Sequence, residues 1–371
     1  MTEAAVERRL PTLGGLPVFV GTIAAVLISI IGFLFFDLSL AAIDRRESAA
    51  HAASAYDHGL ALLRSLDPDA ALDQFRIAAA LDRTNVAYAL GLSEAMLEAG
   101  RASDAESTLK VLLTRTENDG AVNLTMAHVM AREGRVNDAK AYFHRAIFGR
   151  WGADSTTRRL QARFELIQLL TEHGAPAELL AELLPLEDVS VDSVALRRRL
   201  GGLFLLAGSP ARAATMFHSV LLKEPGDADA YAGLGESALA LGNFRTAKAD
   251  FAEAAARRPD DTHLRDRAAR VDTILALDPS ANDLTADERY ERSRNLLART
   301  VDVLTRCGEA SSTAVTSARE LLGRAPAPAA RRVAGDSMIG AAIGLWNSRL
   351  PRCDASASDE VLRSVFVRLT G

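Results

Sequence analysis

Aromatic side chains are scarce in this chain, only 5% of its 371 residues, while alanine and leucine supply much of an apolar fraction of 49%. A β-sandwich fills the gap between its sheets with β-branched and aromatic side chains, so that class is excluded. Helices packed closely through small residues suit the composition. Lysine occurs only at Lys110, Lys140, Lys223 and Lys248, and the net charge is −5. Without a basic excess, nucleic acid is not an expected partner. The bias to arginine over lysine is that of a GC-rich genome and is read as bacterial.

Cysteine is limited to Cys307 and Cys353. There is no CxxC and no Cys/His cluster of zinc spacing, so no metal is expected. The two thiols are read either as a disulfide or as two unrelated buried thiols. A bridge would close a loop worth about 4 kcal/mol on the chain-entropy account.

Catalytic signatures are also missing. No GxxxxGK[ST], HExxH, GxSxG or dinucleotide fingerprint is present, so no cofactor is expected. The seven histidines are scattered; His51 and His58 lie one heptad apart without further ligands. Glu94 and Glu98, four apart, read as a solvated helical face rather than an acid–base pair. The chain is therefore read as non-catalytic.

One long hydrophobic run stands out. No charged residue occurs from Leu10 to Phe36, and Val18 to Phe36 is almost wholly apolar. As a helix that segment rises about 28 Å, close to the hydrocarbon thickness of a bilayer. Arg8 and Arg9 precede it; Asp37, Asp44, Arg45, Arg46 and Glu47 come after it. The run is longer than a signal-peptide core, and Asp37 separates it from the faint cleavage site Ser39-Leu40-Ala41. We read 1–16 as a short tail and 17–43 as a transmembrane helix with its connector, an uncleaved signal anchor. Two arginines on each side nearly tie the positive-inside rule. The short tail and the cysteine pair favour a single-pass inner-membrane protein with its soluble part in the periplasm. Gly21, Ala25 and Ser29 form a small-residue stripe that would permit a homodimer. No Pro or Gly interrupts Phe33 to His58, so one helix is expected to continue from the anchor into the first soluble element.

The chain beyond the anchor is periodic. Segments beginning at Ala52, Val86 and Gly120 are spaced 34 residues apart. Their fifteenth positions are Leu66, Gly100 and Gly134; their twentieth are Ala71, Ala105 and Ala139; their twenty-fourth are Phe75, Leu109 and Phe143; their twenty-seventh are Ala78, Leu112 and Ala146. The register slips around Gly149 to Thr157, and a weaker unit starts near Leu160 with Gly174 at its turn. Two strong units begin at Val194 and Ala228, with Gly201 and Gly235 at position eight, Gly208 and Gly242 at fifteen, Ala213 and Ala247 at twenty. Phe217 and Phe251 stand at twenty-four, Pro225 and Pro259 at thirty-two. Small residues let helices approach, the fifteenth-position glycine ends the first helix, and the proline ends the second. Asp67 before Pro68, Ser209 before Pro210, and Ser103 with Glu106 read as helix starts.

These units resemble tetratricopeptide repeats. The resemblance implies an all-α, right-handed α-solenoid over 44–277, about six repeats with the fourth irregular. It further implies that the first helix of each pair lines a concave wall where peptides or partner helices bind. In that register the wall carries Tyr56, Leu60 and Arg64, then Leu90, Glu94 and Glu98, then Leu124, His128 and Arg132, with Gln168, Glu172, Arg198 and Glu236 further on. The Lys/Asn/Arg set with which chaperone-type members clamp a C-terminal carboxylate is missing, which argues against that ligand. Residues 278–371 read as a C-terminal helical capping region: a capping box at Thr285 and Glu288 opens a helix to about Cys307, with further helices over Thr313–Leu322, Ala330–Arg349 and after Ser356 or Ser358. The expected function is a membrane-tethered scaffold or adaptor for other proteins or peptides; the alternatives are a cytoplasm-facing adaptor of opposite topology or an accessory subunit of a membrane enzyme complex.

Overall fold

The structure is a computed structural model that describes residues 16–152, 154–188, 193–349, 353 and 360–370, with side chains described from Val26 onward. Arg8, Arg9, nearly all of the tail, the surroundings of Gly21 and Ala25, and the Ser356 or Ser358 helix start lie outside what the structure describes. The fold is all-α. In order the helices are α1 (Leu16–Arg64), α2 (Pro68–Leu81), α3 (Val86–Glu98), α4 (Ala102–Leu113), α5 (Gly120–Arg132), α6 (Val136–Phe148), α7 (Ser155–Glu172), α8 (Pro176–Leu183) and α9 (Val194–Leu206). They continue as α10 (Pro210–Lys223), α11 (Ala228–Ala240), α12 (Phe244–Arg257), α13 (Thr262–Leu277), α14 (Ala286–Leu304), α15 (Thr313–Leu322), α16 (Arg331–Ser348) and α17 (Glu360–Thr370). Two compact units, Met1–Leu169 and Leu170–Gly371, divide the chain within α7.

In the first unit α1 is one unbroken helix from the apolar segment into the first pair. Every side chain from Val26 to Ala41 is exposed, Phe33, Phe35 and Phe36 among them. The stretch is long and apolar enough to cross a membrane. From Ala52 on, the same helix buries one face against α2. The pairs α1–α2, α3–α4 and α5–α6 succeed one another, each packed on the next. Their seam is made of alanine and one large residue per pair: Ala71, Ala78, Ala105, Ala139 and Ala146 are fully buried, as are Phe75 and Leu109.

Phe75 shows how the pairs interlock. Its ring lies between Gly59, position eight of its own unit, and Gly91, position six of the next; a Cβ at those sites would fall 2.8 and 2.6 Å from the ring. Phe217 of the second unit repeats the arrangement between Gly201 and Gly233. The periodicity exposes position eight but not position six, whose partner lies in the preceding unit.

Turn glycines Gly100, Gly134, Gly174, Gly208 and Gly242 all have φ between 61° and 75°. In the first pair that place is held by Leu66, with φ 61° and its side chain exposed. A left-handed leucine costs about 1–2 kcal/mol, part of which glycine gives back through its freer unfolded state. Leu66→Gly is thus expected to stabilise the first unit by about 0.5–1 kcal/mol. A lower urea midpoint than the parent's would contradict this.

One helix start differs from expectation. α4 begins at Ala102 after Arg101, so Ser103 lies inside the helix and forms no capping box; Glu106 is drawn instead to Lys110 and, at 2.9 Å, to Arg135. Ser209 precedes a helix that starts at Pro210, as expected, but makes no side-chain cap contact. The Thr285–Glu288 capping box is present, and Asp67, Asn85, Asp119, Asp227 and Asp261 each accept from the helix they precede.

The register slip is a built insertion. Arg150 N–H donates to the Asn118 carbonyl and Gly120 N–H to the Arg150 carbonyl, both at 2.7 Å. The Trp151 indole donates to the Ala146 carbonyl at 2.8 Å and lies on Gly120, leaving no room there for a side chain.

The second unit repeats the seam with Ala213, Phe217, Ala247, Phe251 and Ala254. Beyond α13 the period stops, and α14, α16 and α17 join α12 and α13 in one apolar cluster containing Leu296, Leu297, Leu304, Met338, Leu345 and Phe366. Trp346 and Phe366 stack with ring centroids 4.8 Å apart. Cys307 and Cys353 are joined by a disulfide, Cα to Cα 5.3 Å.

Candidate functional site: the walls formed by the first helices

Because each pair packs on the next, the first helices come side by side: α1 on α3 and α3 on α5 in the first unit, α9 on α11 in the second. Positions five, nine and thirteen of these helices share one face. In the first unit that face is apolar at one edge and charged at the other. Tyr56 meets Phe75 edge-on at 5.6 Å and tilts against Tyr88 at 5.1 Å. Leu60 is half-buried against the same cluster, Leu90 is half-buried and Leu124 is buried. Arg64 is exposed at the end of α1.

The charged edge runs from α3 to α7. Arg132 lies 3.9 Å from Glu98. The Nε2 of His128 is 2.5 Å from Oε2 of Glu165, and Gln161 donates to the other oxygen of Glu165 at 2.9 Å. The His128 ring also meets Phe143 edge-on at 5.9 Å. Burial works to raise the Glu165 carboxyl, but the hydrogen bonds from His128 and Gln161 outweigh it and hold the group below its ordinary value.

Glu94 behaves in the opposite sense. Its side chain is exposed to solvent. Protein atoms nevertheless crowd the space around it, and this partial dehydration pushes its carboxyl above the ordinary value; Glu98 adds to the rise, while His128 and Arg158 oppose it. Exposed yet crowded is the condition of a group on a concave wall. Tyr56 is raised too, by burial first and then by the charge of Glu94. One patch on α1, α3, α5 and α7 therefore joins Tyr56, Glu94, Glu98, His128 and Arg132 with Arg158 and Glu165.

Tyr88, Arg158, Gln161 and Glu165 were not among the residues expected. Gln168 and Glu172 are exposed on α7, but Glu165, about one turn earlier, is the residue that meets His128. Arg158, Gln161, Glu165 and Gln168 are spaced three, four and three apart, the stripe that marks one face of a helix; that spacing is the signal that could have found them.

The second unit's wall is engaged with its own chain. Arg198 pairs with Glu224 at 3.1 Å and with Asp227. Glu236 pairs with Arg267 beside a cavity of about 340 Å³ that is also lined by Leu239, Phe251, Arg270 and Glu360. Among the described residues, the one cluster with metal-ligand reach is Cys307, Glu309 and Cys353, and its two sulfurs are bonded to each other.

Residues 62–129 and 204–271 match the tetratricopeptide repeat family model. No curated protein matches the chain in sequence. Solved structures similar to the chain include the C-terminal part of a tetratricopeptide repeat protein from Cytophaga hutchinsonii, 11% identical over 82% of this chain and 99% of that one, TM-score 0.44. YrrB, described as a tetratricopeptide protein with an unusual peptide-binding site, is 18% identical over 53% and 97%, TM-score 0.41. The TPR2AB-domain–pHSP90 complex of yeast Sti1 is 16% identical over 79% and 98%, TM-score 0.32. At these scores the likenesses add nothing about function.

Proposed function

We propose that this chain, which carries tetratricopeptide repeats, is a non-catalytic adaptor that holds partner proteins or peptides on the inner wall of its first unit while α1 tethers it to a membrane. The observation that carries the reading is the two-edged patch itself: Tyr56, Leu60 and Tyr88 packed along one edge and solvent-exposed Glu94 and Glu98 along the other. A partner that sets a Lys or Arg side chain against Glu94 and Glu98, and apolar groups against Tyr56, Tyr88 and Leu60, satisfies both edges of the patch. The tether raises the local concentration of partners at the same surface without adding a contact. The disulfide fits an oxidising compartment, and with it a periplasmic soluble part in a bacterial envelope.

The reading fixes a pH dependence. In the free protein Glu94 resists ionisation, so the stability it contributes is present at low pH and lost as pH rises through its raised folded value. A cationic partner needs the ionised form. Affinity is therefore expected to rise as pH climbs through that value and to level off above it. Glu94→Gln should remove this rise, and Glu94→Gln with Glu98→Gln should weaken binding about tenfold.

The test is a photo-crosslinking residue at position 94 in native membranes, with a second at exposed Val111 as control. Partners captured at 94 and lost with Glu98→Gln support the reading. Self-crosslinks alone would point to an oligomer and sink it. A reporter fused to the C-terminus, active only outside the cytoplasm, separates the periplasmic adaptor from a cytoplasm-facing one.

A further inference from the structure

The inner wall of the second unit carries an occupant supplied by the chain itself. The helix that would open the next pair, α13, has Asp266, Arg270 and Ile274 at positions five, nine and thirteen. Ile274 stands where Arg64, Glu98 and Arg132 stand in the first unit, yet it is fully buried. It belongs to the cluster that holds Val361, Leu362, Val365 and Phe366 of α17, and α17 packs on α13.

α17 has the build of a ligand helix. Its buried residues fall at i, i+1, i+4 and i+5, a single apolar face, while Arg363 and Val367 are exposed. Polar contacts hold both ends. Glu360 pairs with Arg270 at the start. Near the end, Arg368 donates to the Gly242 carbonyl and to Ser280 Oγ, lies 3.5 Å from Asp278, and stands over the Phe244 ring at 5.3 Å.

Open clefts flank both ends of the seat. Beside the α17 start lies the cavity of about 340 Å³ that Glu360, Arg363 and Ser364 help to line. Beside its end lies another of about 360 Å³, lined by Phe244, Asp278 and Arg368. Exposed ion pairs such as Arg270–Glu360 add little holding power. An eleven-residue helix is marginal alone in water, so α17 keeps its form through docking. Seven residues before Glu360, the disulfide to Cys307 anchors the chain and keeps a released helix close by.

We infer that α17 is a built-in competitor on the second unit's inner wall, and that the external partner of this wall is an amphipathic helix of the same pattern. That partner presents two adjacent apolar residues repeated one turn later, an acidic residue before them and an arginine after. The inference rests on the reading of these walls as binding surfaces. It adds the partner's chemistry and a condition: the resident helix must leave first. The apparent affinity of any outside helix is then reduced by the fraction of molecules whose wall is free.

The test uses the full chain in detergent micelles and a fluorescent peptide of residues 360–371, followed by anisotropy. The variant Cys307→Ser, Cys353→Ser, Arg368→Ala opens the tether and removes the contacts near the end of α17. It is expected to bind the peptide at least about tenfold more tightly than the parent does. A peptide carrying Val365→Asp and Phe366→Asp should not bind. In a Trp151→Phe background, departure of α17 takes Phe366 off Trp346 and should shift the emission of that tryptophan to the red. Three results overturn the inference: no peptide binding although Trp346 reports release, α17 staying in place in the variant with the peptide excluded, or loss of more helix than α17 contains. None of them touches crosslinking at position 94, so failure here is distinct from failure of the adaptor reading.

Discussion

Arginine at both Leu27 and Ile30 is expected to empty the membrane fraction of this protein. Both residues lie in the stretch of α1 whose side chains are all exposed. Exposure of so many large apolar side chains on one helix is stable in lipid and not in water, at roughly 0.8 kcal/mol per CH₂. An arginine near the middle of a spanning helix costs about 2.5–3.5 kcal/mol on insertion scales, so two cost about 5–7 kcal/mol. That exceeds a factor of about 10³ in partition. The measurement is the share of full-length chain that survives carbonate washing of membranes. Retention equal to the parent's would mean that α1 is not the anchor.

The second large effect is expected at Gly233. Helix propensity alone says that Gly→Ala in the middle of α11 should stabilise by about 1 kcal/mol. The packing says the reverse. The Phe217 ring lies against Gly233 on one side and Gly201 on the other, closer to a Cβ at Gly233 than at any glycine around Phe75. Phe217 is only 4% exposed. Overpacking of this kind costs about 1–3 kcal/mol, and Gly233→Ala is expected in that range by urea denaturation. The chain itself suggests the rescue: where the large residue is Leu109 rather than Phe, position six of the next unit is Thr125 rather than Gly. Phe217→Leu added to Gly233→Ala should recover much of the loss, with a coupling of about 1 kcal/mol or more in a double-mutant cycle. A single variant as stable as the parent would mean that the interlock is looser than drawn.

The same contrast explains what could be read from the sequence. Positions eight, fifteen, twenty, twenty-four and twenty-seven are legible because each answers a need within one pair, so it recurs every 34 residues. Position six answers the ring of the preceding pair, and only Gly91 and Gly233 display it as glycine. The wall was legible up to His128. Its partner was not, because the insertion at residues 149–154 resets α7 and brings Glu165 rather than Gln168 to the imidazole. The seat of α17 was less legible still. It joins Arg368 to Gly242 across 126 residues, and no period links segments so far apart.

The unbroken α1 has a mechanical consequence. From Phe36 to Ala52, where its packing against α2 begins, the helix rises about 24 Å with neither glycine nor proline. It is a strut rather than a leash. A leash lets its load sweep every height and heading within reach; with α1 spanning a bilayer as proposed, a strut would hold the first unit at one altitude above the lipid and turn it only as far as the buried end rotates. On the proposed reading, a partner of the Tyr56–Glu94 face would approach at that fixed elevation, and the bilayer itself would share in selecting it.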